Sequence, residues 1–183
     1  MSLALTQLIG FGARRAAAGG GYRYLALQLT SSSDATYARI REIEWGVGGT
    51  YHPATKMTSA TAPSPQKVYR SSELTYVAWK AYDGVSDTGS SSSHWLVADT
   101  SPRVIIIDFG SGNLILPSTV RMKPYGDSPN TENWLAFSAY GSNDTAIETI
   151  ANWSTASKTL LGSFSPGDAS GTWTNNTWKE FTF

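Results

Sequence analysis

Residues 22–30 place Leu25, Leu27 and Leu29 on one face and Tyr24, Ala26 and Gln28 on the other. That is the two-residue period of a β-strand. Residues 119–123 alternate again, with Val120 and Met122 inward, and further strands are read over 38–45, 134–140, 158–164 and 178–183 between turn residues. Residues 104–109 form the most apolar run in the chain and read as a strand buried on both faces. Turn-forming residues separate these runs, among them Asp83-Gly84, a polar stretch over 127–132, Gly141-Ser142-Asn143-Asp144 and Ser165-Pro166-Gly167-Asp168. Residues 46–75, rich in Gly, Thr, Pro and Ala, read as a long loop with one short strand. Short strands at this spacing predict an all-β fold, an antiparallel jelly-roll sandwich. Trp45, Trp79, Trp95 and Trp178 lie in or beside strands and are expected in the core.

The alternation fails once. Ile40 and Ile43 do not share a face on a regular strand, so a bulge is expected between them. Glu42 would share the face of Ile40, which puts a carboxylate close to the core, a costly position without a partner.

Residues 81–110 read as one mechanical unit: the Asp83-Gly84 turn, a loop of small polar residues over 86–93, Trp95, and the apolar strand 104–109. A turn anchored to a strand that does not move can hold an ion or a ligand.

Composition fits this picture. The chain has 183 residues, enough for one domain with a substantial core plus a tail, with 15% charged and 12% aromatic residues. Formal net charge is zero, so nothing global points to nucleic acid. The charge is uneven, with eight Lys/Arg against three Asp/Glu over 1–70 and six against eleven over 71–183. Cysteine is absent, which excludes disulfides, thiol chemistry and cysteine-containing zinc sites. No run approaches the roughly 18 apolar residues that span a membrane. The apolar run 3–11 is interrupted by Thr6, Gln7 and Gly10 and is followed, not preceded, by Arg14 and Arg15, so a signal peptide is not expected.

Two units are expected, an anchor peptide over 1–21 and a sandwich over 22–183. The first combines Leu3, Leu5, Leu8, Ile9 and Phe11 with Arg14, Arg15, an alanine run and the flexible joint Gly19-Gly20-Gly21. An apolar peptide on such a joint either packs on its own domain or docks on another protein or another copy. Its wording, Leu8-Ile9-Gly10-Phe11-Gly12-Ala13, resembles the start of small bacteriophage virion proteins, which favours docking.

Catalytic motifs are not evident. There is no Gly-x-Ser-x-Gly elbow, His-Glu-x-x-His helix or phosphate-binding glycine loop, and His52 and His94 sit in separate loops. Glycosidase chemistry needs only two carboxylates, and among fourteen acidic residues spacing alone leaves that open. A non-enzymatic protein is expected.

Ala81-Tyr82-Asp83-Gly84 with Thr88, then Trp95, then Ile107-Asp108-Phe109-Gly110 resembles the signature of discoidin domains, β-sandwich modules of the galactose-binding-like group. Residues 134–144 resemble that family's hairpin. Residues 22–27 and 38–44 resemble its closing strands, yet here they come first, which implies a circular permutation of the kind associated with phage and prophage proteins. The resemblance covers about 22–183. A vertebrate discoidin domain would usually carry a disulfide, so the absence of cysteine points to a bacterial or phage origin. The three Asn-x-Ser/Thr sequons at Asn143, Asn152 and Asn175 matter only in a eukaryotic secretory setting.

The resemblance implies one structural Ca²⁺ held by Asp83, Thr88 and Glu42 with backbone carbonyls near Lys80 and Ser86. Val85 stands where the family often has Asn or Asp, and Asp87 could compensate. The alternative is that Asp83 only caps its own turn. Sugar-gripping candidates are Tyr51, His52, His94, Arg121, Tyr125 and Trp134, since a pyranose offers one apolar face and a rim of hydroxyls. Two functions follow as expectations. One is a virion structural or adhesion subunit, assembled in the bacterial cytoplasm and anchored to other virion proteins or to copies of itself. The other is a carbohydrate-binding module, free or enzyme-associated, that recognises cell-surface glycans. Neither requires nucleic acid or membrane insertion.

Overall fold

The computed structural model describes residues 20–32, 34, 36–74, 76–85, 94–98, 102–125, 134–165, 173–174 and 176–183. Residues 1–19 of the anchor peptide, Ser86, Asp87, Thr88, the turn 127–132 and residues 166–168 lie outside the described residues.

Eleven strands are described: β1 (Tyr24–Ser32), β2 (Tyr37–Ile40), β3 (Glu42–Val47), β4 (Thr50–His52), β5 (Lys67–Arg70), β6 (Trp95–Ala98), β7 (Arg103–Asp108), β8 (Thr119–Lys123), β9 (Trp134–Ser142), β10 (Thr159–Phe164) and β11 (Lys179–Thr182). Short 3₁₀ turns cover Ala78–Tyr82, Thr145–Glu148 and Ile150–Asn152. All pairings among these strands are antiparallel. One sheet runs β10-β9-β1-β7-β5, a second β11-β8-β3-β4, and β2 pairs with β6. No helix among the described residues is long and apolar enough to cross a membrane.

The two larger sheets share one core, as in a sandwich. Leu25, Leu27, Ile105, Ile107, Phe137 and Ala139 from the five-stranded sheet meet Ile43, Trp45, Val120, Met122 and Phe181 from the four-stranded one. Alternation on β1 and β8 produces this directly, because every second side chain points inward.

The expected bulge between Ile40 and Ile43 is instead a change of sheet. Ile40 pairs with Trp95 on β6, Arg41 forms the joint, and Ile43 pairs with Met122 on β8. Each isoleucine is buried, on two different strands. Residues 46–75 hold two short strands, β4 and β5, where one was expected.

β7 is buried on both faces for a clear reason. Its second face, with Val104 and Ile106, joins Tyr24 and Ala26 of β1 beneath Ile147, Trp153 and Ala156 of the 3₁₀ segment. A charged anchor fixes that layer. Arg23 donates to both oxygens of Asp108, at 2.8 and 2.7 Å, and lies 3.2 Å from Glu148, which also accepts from the Tyr24 hydroxyl at 2.5 Å. Burial, and then the bond to Glu148, push the Tyr24 hydroxyl pKa well up.

Trp45 and Trp95 are core residues, whereas Trp79 is only partly buried and Trp178 is half-buried on the surface. The two ends of the described sandwich meet at one strip. Tyr22 exchanges backbone hydrogen bonds with Ile115 at 2.7 and 2.9 Å, and Phe183 donates to Ser118 at 3.0 Å. Tyr22 lies flat over Gly141, where a Cβ would come within 2.4 Å of its ring.

Candidate functional site

β3 opens with Glu42, and its pairing with Lys123 of β8 holds it at the end of the sheet away from Ser118. Its side chain is about 1% exposed. Asp83 follows the 3₁₀ turn Ala78–Tyr82 and closes an Asx-type turn, with Oδ1 accepting from Val85 N at 2.8 Å. Gly84 adopts φ +73°, which glycine reaches freely, and its N–H donates to Glu42 Oε2 at 3.2 Å. The structure thus brings Glu42 and Asp83 together.

The pair is under-satisfied. Glu42 Oε1 and Asp83 Oδ2 are buried without hydrogen-bond partners. Lys80 Nζ reaches to 3.2 Å from Asp83 Oδ2, an ion-pair distance without hydrogen-bond geometry. Burial, and then the neighbouring Asp83, push the Glu42 carboxyl up to about 9. Two adjoining buried carboxylates share a proton, and both ionise only when a cation sits between them. Uncoordinated carboxylate oxygens beside a tight turn are the donor set of a hard cation such as Ca²⁺, which takes six to eight oxygens. Glu42 and Asp83 supply two carboxylates; among the described residues no group of three or more His, Cys, Asp or Glu forms a fuller cage.

The sugar-gripping candidates separate into four places. His94 is fully buried between the rings of Tyr76 and Tyr125, with each ring centroid 4.2 Å away. Burial first, then Arg39 and Arg41, push its pKa down to about 3, so the ring is neutral, and neither nitrogen has a hydrogen-bond partner. Arg121 lies 3.3 Å from the Tyr51 ring centroid and 4.4 Å from that of Trp178, with its Nε on Glu44 at 2.7 Å. Tyr51 donates to Glu180 at 2.5 Å, so this outer face of the four-stranded sheet is internally paired. His52 stands edge-on to Phe109, centroids 6.3 Å apart. Trp134 is about 1% exposed, packed on Trp95 and Phe137. His94 and Trp134 therefore lie in the interior and present no face to a ligand.

The sequence offered Asp108 only as part of a motif and gave no sign of its partners Arg23 and Glu148. Only the strand register makes them neighbours.

No protein-family model matches this chain. No curated protein matches it. No solved structure matches it. The likeness to discoidin domains therefore rests on the residues quoted for it.

Proposed function

We propose that the protein is a non-enzymatic structural and adhesion subunit of a phage-type particle, a permuted discoidin-like jelly roll tethered at one end. One observation carries this reading: the two ends of the sandwich meet at residues 115–118, while Glu42, Asp83, His94 and Tyr125 sit toward the opposite end. Gly46 touches Ser118 and Glu42 lies four residues farther along β3, about 13 Å away. A module attached at one pole presents the other pole to its surroundings, and adjacent ends make permutation sterically easy. The apolar wording of residues 1–21 supports a tether.

The tether has a direct test. Fully burying Leu3, Leu5, Leu8, Ile9 and Phe11 contributes on the order of 10 kcal/mol. Ordering about fifteen residues costs a comparable amount, so the peptide orders only against a partner, with Arg14 and Arg15 clamping carboxylates there. Deleting residues 1–18 should leave the melting temperature of the isolated sandwich nearly unchanged and remove assembly into the particle or oligomer. A truncated protein that assembles normally, or melts far lower, would overturn the tether.

Glu42 and Asp83, with Thr88 and Asp87 of the following loop, would hold the structural Ca²⁺, which neutralises the paired carboxylates when bound. Without metal, native Glu42 keeps a proton up to about pH 9 that the unfolded chain releases near 4.5. The native state therefore binds more protons across this window, and this group's contribution falls by up to about 1.4 kcal/mol per pH unit as pH rises. Calcium substitutes for that proton and stabilises the native state by mass action. Calcium should therefore raise the melting temperature strongly at pH 8 and little at pH 5. Glu42→Gln should flatten the pH profile in chelator and abolish the calcium response. A melting curve at pH 8 that chelator leaves unmoved would leave Asp83 as a turn cap.

The second reading, a carbohydrate-binding module, is favoured by a cavity beside His52 whose lining mixes Phe109, Pro63 and Pro65 with Gln66 and Asn113.

A further inference from the structure

The segment between β7 and β8 carries leucines on the wrong side. Ile115 exchanges two backbone hydrogen bonds with Tyr22, at 2.7 and 2.9 Å, and so runs antiparallel to the start of the sandwich. Burial alternates along residues 114–117, as the two-residue period of an extended chain requires. Ile115 packs against the core and Pro117 is buried. Leu114 and Leu116 face water instead, 52% and 55% exposed.

Single apolar side chains at a surface are ordinary, whereas adjoining ones mark a contact surface. Among the described residues the other large exposed ones, Tyr37, Leu74, Val85 and Leu160, fall singly on four separate segments. Leu114 and Leu116 form the one adjoining pair in that set, on a strip whose backbone is held by Tyr22.

The chain outside the sandwich is rooted on this same strip. A Cβ at Gly21 would come within 2.6 Å of the Ile115 carbonyl carbon, so only glycine passes there. Asn143 Nδ2 donates to Gly21 O at 3.2 Å, and Arg23 N donates to Asn143 Oδ1 at 2.8 Å, which pins the chain on its other side. One residue earlier these contacts end: a Cβ at Gly20 would meet no described atom within 4 Å. Leu3, Leu5, Leu8, Ile9 and Phe11 are therefore leashed beside the two uncovered leucines. The leash, residues 12–20, spans about 30 Å at full extension.

Two leucines are too few to bury five large side chains within one copy. Root and strip share a pole, so two copies set pole to pole can exchange peptides reciprocally. Two peptides and two strips then close into one apolar layer, and the same surface serves on both copies, as two-fold symmetry requires. We propose that Leu114 and Leu116 of one copy receive residues 3–11 of a second copy, in a two-fold, pole-to-pole dimer. The proposal rests on the tether reading above and names the tether's partner as another copy of this chain. Glu42 and Asp83 face outward at both ends of such a pair.

The test is sedimentation of the full chain across micromolar concentrations, which should show a dimer. Leu114→Ser/Leu116→Ser should raise the dissociation constant about tenfold or more. Its melting curve when dilute should match the parent's, because both side chains already face water. The chain has no cysteine, so introduced thiols report contacts directly. Thr6→Cys in one copy and Leu114→Cys in a second, differently tagged copy should form a mixed disulfide on mild oxidation. Thr6→Cys with Ser154→Cys, exposed on the segment 145–156, should not. A monomeric full chain, a dimer that the double variant leaves unchanged, or equal linking to residues 114 and 154 would overturn the proposal. Assembly lost on deleting 1–18 but kept in the double variant would remove the leucine strip and keep the tether. Assembly that survives both changes would remove both.

Discussion

Ile106→Asp is expected to abolish the folded state. Ile106 is the middle of β7, paired with Ala26 on one side and Tyr69 on the other, and its exposure is nil. Its side chain packs in the layer under Ile147 and Trp153. The substitution loses about 1.5–3 kcal/mol of apolar burial and puts a carboxylate where water does not reach, costing several kcal/mol more. The sum rivals the 5–15 kcal/mol by which domains are stable at all. Ile106→Val, which removes one methyl group, should cost only about 0.5–1.5 kcal/mol. Circular dichroism melting separates the two cases. A soluble Ile106→Asp protein with a normal transition would mean that β7 is not an interior strand.

Arg23→Ala should be the second most damaging change. Asp108 has no exposure and keeps its charge company through the two-pronged Arg23 contact, with Gly110 N donating to its Oδ1 at 2.7 Å. Removing the guanidinium leaves a buried carboxylate with that single backbone donor. Breaking a buried pair from one side costs roughly 3–5 kcal/mol. For a chain of this size that lowers the melting temperature by about 10 °C. It also loosens the 3₁₀ segment, since Glu148 loses Arg23 and keeps the Tyr24 hydroxyl. The double variant Arg23→Ala/Asp108→Asn should recover part of the loss, because the orphaned charge goes with it. A loss under about 1 kcal/mol for Arg23→Ala would mean that the pair behaves as a solvated surface contact.

The candidate sites were legible to different degrees. Asp83-Gly84 announces a turn through its residue types, and Glu42 announces itself as a carboxylate beside apolar neighbours. That the two adjoin came from family resemblance, and in the structure it depends on how β3 docks against the Ala78–Tyr82 turn. The split of the sugar-gripping set had no signal in the chain. His52, His94, Arg121 and Trp134 are alike as polar or aromatic residues near turns, and only packing separates a buried ring from one beside a cavity.

What the sequence determined by itself is local. The two-residue period placed β1 and β8, turn residues bounded the runs that became β9, β10 and β11, and together they made the fold all-β, because alternation and turn chemistry are properties of the local backbone. The tertiary structure decided whatever depends on partners distant in sequence. It carried the chain from one sheet to another at Arg41, burying both Ile40 and Ile43 where a single strand would expose one. It covered the second face of β1 and β7 with residues 145–156, which no pattern within those strands encodes. It joined Arg23 to Asp108 and left Trp178 half-buried at the surface, although its place beside a strand predicts a core position. Burial is a sum over neighbours, and those neighbours are fixed by strand register and sheet docking, not by the order of residues along one strand.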